Sequence, residues 1–70
     1  MSKISSVIAQ KRTKLGLSQD ALAKLAGISA PQMSNIEQGK NKPTSITLYK
    51  LSKALECDFE ELYDLLLEEE

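Results

Sequence analysis

Apolar residues recur at helical spacing along this chain, and no alternating run is long enough to predict a strand. Ile4, Val7, Ile8, Lys11, Arg12 and Leu15 share one face of a first helix, which Gly16 ends. Ser18 caps a second helix and places Asp20 in its first turn, near the positive end of the helix dipole. That helix turns Leu22, Ala23 and Ala26 inward and stops at Gly27. Ser29 caps a third, and Gln32, three residues on, completes a capping box. Pro31 falls in the first turn, where its missing N–H had no partner within the helix anyway. The third helix runs to about Gln38, and Gly39 ends it. After the polar connection KNKP, Thr44 or Ser45 caps a fourth helix with Ile46, Leu48, Tyr49, Leu51 and Leu55 as its apolar set. Asp58 caps a fifth and Glu61 closes a second capping box; Phe59, Leu62, Tyr63 and Leu66 form its stripe, with Leu65 and Leu67 off it. The pattern predicts an all-α fold, five short helices around one core, in a single domain over residues 1–70.

The second and third helices are separated by only a few residues around Gly27, so they cross steeply as a helix-turn-helix unit over about residues 18–38. Ala23 allows close approach, Gly27 suits a left-handed turn position, and Ile28, Met33 and Ile36 plug the angle between the helices. At about 100° per residue, with Met33 as origin, Ile36 falls at about 300° and Glu37 at about 40°, towards the core. Pro31, Asn35 and Gln38 fall at about 160°, 200° and 140°, on the opposite side, with Gln32 and Ser34 flanking them. A core helix has no need of such a face, whereas amides and hydroxyls suit the base edges of a major groove.

Charge sharpens this picture. The formal net charge is only −1, but the first 53 residues hold all nine basic residues and only Asp20 and Glu37, whereas residues 54–70 hold eight acidic residues and no basic one. One part can face a polyanion while the acidic end stays away from it. The 41% hydrophobic and 27% charged composition is that of a globular chain. Without histidine, neither a histidine metal site nor a histidine general base can be built, and the single Cys57 excludes an intrachain disulfide. Cys57 is expected to be a small buried filler, since Glu56 and Asp58 disfavour its thiolate. No apolar run approaches a membrane span and no signal peptide is recognisable, so the expected location is cytoplasmic. Neither paired carboxylates in a plausible pocket nor a phosphate-binding glycine loop is present, so the chain is not expected to be an enzyme or to need a cofactor or metal.

The run LGLSQDALAKLAGIS, followed by MSNIEQGKNKPTSITLYKLSKAL, resembles the lambda-repressor/Cro-like (XRE) helix-turn-helix family over residues 4 to about 66. The resemblance implies a five-helix DNA-binding domain and a transcriptional regulator, typically a repressor, that meets a near-palindromic operator as a dimer. It implies base contacts from Ala30, Pro31 and Asn35, with Gln32 and Ser34 beside them. Asn35 is the first choice for direct readout, since Ala30 and Pro31 offer at most a surface for a thymine methyl. Gln19 resembles the family's phosphate-binding glutamine, and Ser29, Gln38, Lys40, Asn41 and Lys42 fall where the DNA backbone would pass. Lys11, Lys14 and Lys24 could add positive charge.

Two structural expectations complete the reading. Glu37 lies on the inward side of its helix and Arg12 on the stripe of the first, so they are expected to pair, as in lambdoid repressors, because a lone buried charge is costly. The fifth helix (with the acidic tail, about residues 58–70) carries more apolar surface than its own core needs. Tyr63, Leu65, Leu66 and Leu67 are therefore assigned to a two-fold homodimer interface. Alternatives within the family are an antitoxin that holds a protein partner and autoregulates its operon, and a restriction-modification controller.

Overall fold

Four hydroxyl caps and three left-handed glycines separate the first four helices, and a left-handed Glu56 separates the fourth from the fifth. The structure, a computed structural model, describes residues 2–69, so Glu70 of the acidic tail lies outside the described residues. Helix α1 spans Lys3–Lys14, α2 Gln19–Ala26, α3 Ala30–Glu37, α4 Ser45–Ala54 and α5 Phe59–Glu68, and no strand occurs among the described residues. Ser18, Ser29 and Thr44 accept from the backbone N–H of Ala21, Gln32 and Thr47 at 3.0, 3.1 and 3.2 Å, each answering one of the free donors of a helix start. Ser2 caps α1 in the same way through Ser5 N–H.

Neither predicted capping box closes. The Gln32 side chain returns no hydrogen bond to Ser29, leaving only the serine half of the motif. Asp58 sits at the head of α5 with extended dihedrals but makes no side-chain cap, and Glu61 reaches across to Lys11 Nζ at 3.0 Å instead. A full charge on α1 is a stronger partner for that carboxylate than a neutral backbone N–H.

The core takes Ile4 and Ile8 from α1, Leu22, Ala23 and Ala26 from α2, Met33 and Ile36 from α3, Leu48 and Leu51 from α4 with Leu55 just past its end, and Leu62 and Leu66 from α5. Helix α2 lies against both α3 and α4, while α1 bridges α3 and α5. Three expected core positions lie outside. Leu15 is exposed beyond the end of α1, and Ile46 and Tyr49 are 69% and 52% exposed. Ile46 lies about 160° around α4 from Leu48, so no rotation of the helix buries both. The inward face of α4 is completed by Thr47 and Ser52.

At the far end of the core, the last turn of α5 closes on the first turn of α1. Glu69 Oε1 accepts from Ile4 N–H at 3.0 Å, and Lys3 Nζ lies 3.7 Å from Glu68. The acidic helix is thereby joined to the basic half of the chain.

Candidate nucleic-acid interface

The α2–α3 crossing depends on what its small residues omit. Ala23 and Ala26 are buried where the helices meet, and Gly27 ends α2 with φ of 72°. A Cβ at Gly27 would meet no atom within 4 Å, so the left-handed backbone rather than crowding at Cβ favours glycine there. Ile28 packs half-buried against the core, beside the fully buried Met33.

Behind α3, a polar clamp holds its last turn. Arg12 Nε donates to Glu37 Oε2 at 2.6 Å and Nη2 to Oε1 at 3.0 Å, while Nη1 donates to the Leu17 carbonyl at 2.8 Å. The two side chains are 15% and 5% exposed, so the expected pair is present, bidentate and nearly dry. Gln19 Nε2 donates to Glu37 Oε1 at 3.0 Å. This expected phosphate ligand therefore commits one of its two N–H groups to the clamp and keeps the other. Ser5, which the sequence reading did not single out, is buried and donates its hydroxyl to the Ile36 carbonyl at 2.7 Å. The available signal was its spacing: Ser5, Ile8 and Arg12 follow one another on the inner face of α1.

The opposite face of α3 is open. Ala30, Pro31, Gln32 and Gln38 are exposed, and Ser34 and Asn35 are half-exposed. Gln38 Nε2 donates to Ser34 Oγ at 2.8 Å, so these two side chains hold each other. The side-chain amides of Asn35 and Gln32 have no hydrogen-bond partner among the described residues, and both retain their full donor and acceptor capacity. Ser29 Oγ accepts from Gln32 N–H and keeps its own hydrogen to donate.

The basic residues divide. Lys40 and Asn41 are exposed beyond α3, and Lys14 and Lys24 are exposed on α1 and α2. Lys11, counted with them from sequence, is engaged by Glu61, whose hydrogen bond and charge hold the ammonium pKa above its ordinary value despite partial burial. Lys42 Nζ donates to the Glu69 backbone carbonyl at 3.4 Å, so the loop after α3 touches the end of α5. Cys57 is half-buried rather than buried. Desolvation pushes its thiol pKa up, with Glu61 and Asp58 adding to the rise and Lys11 opposing it, so it is a poor nucleophile.

The assigned interface residues of α5 do not form one patch. Leu66 is only 8% exposed and belongs to the core. Leu65 and Leu67 lie about 160° apart around the helix. The flank bearing Leu65 also bears Glu61 and Glu68, which pair with α1. Tyr63 and Leu67 lie on the other flank, continuous with α4. There Phe59 stacks on Tyr63 with centroids 5.1 Å apart, Tyr49 meets Phe59 at 6.2 Å, and Lys53 Nζ lies 5.6 Å from the centre of the Tyr49 ring. An apolar strip thus runs over exposed Ile46, Tyr49 and Leu67 and half-buried Phe59 and Tyr63, with Lys50 and Lys53 along its α4 edge and Glu60 and Asp64 along its α5 edge.

A short crossing of two helices, a buried clamp behind the second and an open amide face in front define a helix-turn-helix domain of the lambda-repressor type. The chain belongs to the HTH_3 helix-turn-helix (XRE) family, whose model matches residues 8–62. It is 37% identical over 59 residues to the HTH-type transcriptional regulator y4dJ of Sinorhizobium fredii, covering 84% of this chain and 77% of that one. Among solved structures, the restriction-modification controller protein C.AhdI of Aeromonas hydrophila superposes with a TM-score of 0.82 at 32% identity, over 86% of this chain and 91% of that chain. The P22 c2 repressor, solved in complex with a synthetic operator, gives 0.80 at 34% identity, over 89% and 94%. This is the domain of transcriptional regulators and not an enzyme class. No described helix is long and apolar enough to cross a membrane.

Proposed function

We propose that residues 1–70 form a single cytoplasmic DNA-binding unit, a repressor that recognises a near-palindromic operator as a homodimer. The observation that carries this reading is the free amide of Asn35 on the open face of a helix clamped from behind by Arg12 and Glu37. Laid in the major groove, α3 presents Asn35 for bidentate pairing with adenine, with Gln32 and Ser34 beside it. The spare N–H of Gln19, the Ser29 hydroxyl, the Gln38 amide and the loop residues Lys40, Asn41 and Lys42 receive phosphates along the rim. Two copies meet through the strip from Ile46 to Leu67. A two-fold axis there sets the basic α4 edge of one copy against the acidic α5 edge of the other.

A second reading has specific support in the near full-length likeness to C.AhdI, a restriction-modification controller. As such a controller, the chain would use the same face of α3 on DNA. The test is fluorescence anisotropy with DNA from upstream of its own gene, titrated across a salt series. Binding that falls steeply with salt supports phosphate neutralisation by the rim; affinity unchanged between 50 and 200 mM salt, about a fourfold range over which phosphate contacts are normally lost, would reject it.

A further inference from the structure

The last turn of α5 closes on two segments that adjoin α3. Glu69 Oε1 accepts from the Ile4 N–H at 3.0 Å, a donor left free at the start of α1, where the helix dipole favours a negative charge. The same turn of α1 holds α3 through the Ser5 hydroxyl, which donates to the Ile36 carbonyl at 2.7 Å. On the other side, Lys42 Nζ reaches the Glu69 backbone carbonyl at 3.4 Å. The loop that carries Lys42 is itself fixed. The Asn35 carbonyl accepts from the Lys40 N–H at 3.0 Å and the Asn41 N–H at 3.4 Å, and Pro43 is buried. Lys42 is thus a long, exposed side chain on an anchored loop. The closure is weakly held. Among the described residues, Glu69 Oε2 is buried with no hydrogen-bond partner, which costs free energy for as long as the carboxylate is docked. The Lys42 bond is long and exposed, and Glu68 meets Lys3 only at 3.7 Å, with both side chains more than half exposed.

Building on the DNA-binding reading above, we infer that the last turn of α5 is an autoinhibitory latch that competes with the DNA backbone for Lys42. With the latch closed, the ammonium is held by the Glu69 carbonyl, and the Glu69 carboxylate brings its negative charge beside the loop after α3. With it open, Lys42 is released to a phosphate and the acidic turn can withdraw. A phosphate, with its full charge, is a stronger partner for an ammonium than a carbonyl, so DNA displaces the latch. The closed population lowers the apparent affinity in proportion. Linkage makes the competition reciprocal: opening the latch strengthens DNA binding, and DNA opens the latch by the same factor. Because phosphates carry no sequence information, the latch weakens binding to every duplex alike.

The test uses the full chain and duplexes selected from a randomised pool, with binding followed by fluorescence anisotropy. Glu69→Ala removes the carboxylate that docks the turn and is expected to strengthen binding about threefold, near the lower end of what one hydrogen bond contributes. Asp58→Asn makes the same change of charge at the other end of α5 and is expected to alter binding less than about 1.5-fold. In a Lys42→Met background, Glu69→Ala is expected to change nothing. In the unmodified protein, hydrogen exchange at the Ile4 amide is expected to be about threefold faster in the DNA complex than without DNA. That measurement carries the test even where Glu69→Ala loosens the start of α1. Equal gains from Glu69→Ala and Asp58→Asn, a gain that survives Lys42→Met, or Ile4 exchange unchanged or slowed by DNA would overturn the latch while leaving the DNA-binding reading standing. Failure to select any duplex would overturn both.

Discussion

The Arg12–Glu37 clamp permits a prediction that separates two meanings of a buried ion pair. In Arg12→Met, Glu37 loses both guanidinium bonds, at 2.6 and 3.0 Å, and keeps only Gln19. The Leu17 carbonyl loses its partner as well. With the glutamate side chain 5% exposed, water cannot readily replace what is lost, and removing one partner is expected to cost about 3–5 kcal/mol. A 70-residue domain has a thin core, and ordinary stabilities begin near 5 kcal/mol, so the variant is expected to be partly unfolded at room temperature. Removing both charges in Arg12→Met with Glu37→Met restores most of that loss, because no unpaired charge then remains buried. Urea denaturation followed by far-ultraviolet circular dichroism measures each variant and yields the coupling. A cost below about 1 kcal/mol for Arg12→Met alone would refute the reasoning, since that is the range of an exposed pair.

Other substitutions probe separate parts of the account. Asn35→Ala is expected to cost about 1–3 kcal/mol on a selected operator and almost nothing on random DNA, compared by anisotropy at one salt concentration; equal losses on both would remove Asn35 from direct readout. Glu56, between α4 and α5, has a left-handed φ of 56°, and Glu56→Gly is expected to raise stability by about 1 kcal/mol in thermal unfolding. Tyr63→Glu places a charge in the middle of the apolar strip and is expected to shift a dimer to monomer in light scattering at micromolar concentration, whereas Leu65→Glu, on the other flank, is expected to leave the mass unchanged.

The sequence carried the local structure because local chemistry decides it. Ser18, Ser29 and Thr44 mark helix starts, and Gly27 marks a turn that only a left-handed residue makes easily. Arg12 and Glu37 were legible as a pair because each sits on an inward face where a lone charge is untenable. What was missed depends on how helices lie against one another. Spacing within α5 cannot tell Leu65 from Leu67; the position of α1, tied to the same flank by Lys11 and Lys3, distinguishes them. For the same reason Ile46 and Tyr49 looked like core residues until the inward face of α4 proved to be that of Leu48 and Leu51. Asp58 and Glu61 matched a capping motif, but a distant lysine outcompeted the local donor. Ser5 was overlooked because its partner is a backbone carbonyl 31 residues away.

The face of α3 bearing Asn35 is the proposed DNA-reading surface. The most direct measurement is a nuclear magnetic resonance titration of the labelled protein with a selected operator duplex, following the side-chain amide of Asn35. This signal is expected to shift strongly, together with the Gln19 side chain and the backbone of Lys40 and Asn41, while signals of the acidic α5 surface move little. Shifts centred on α5, with the Asn35 amide unmoved, would contradict it.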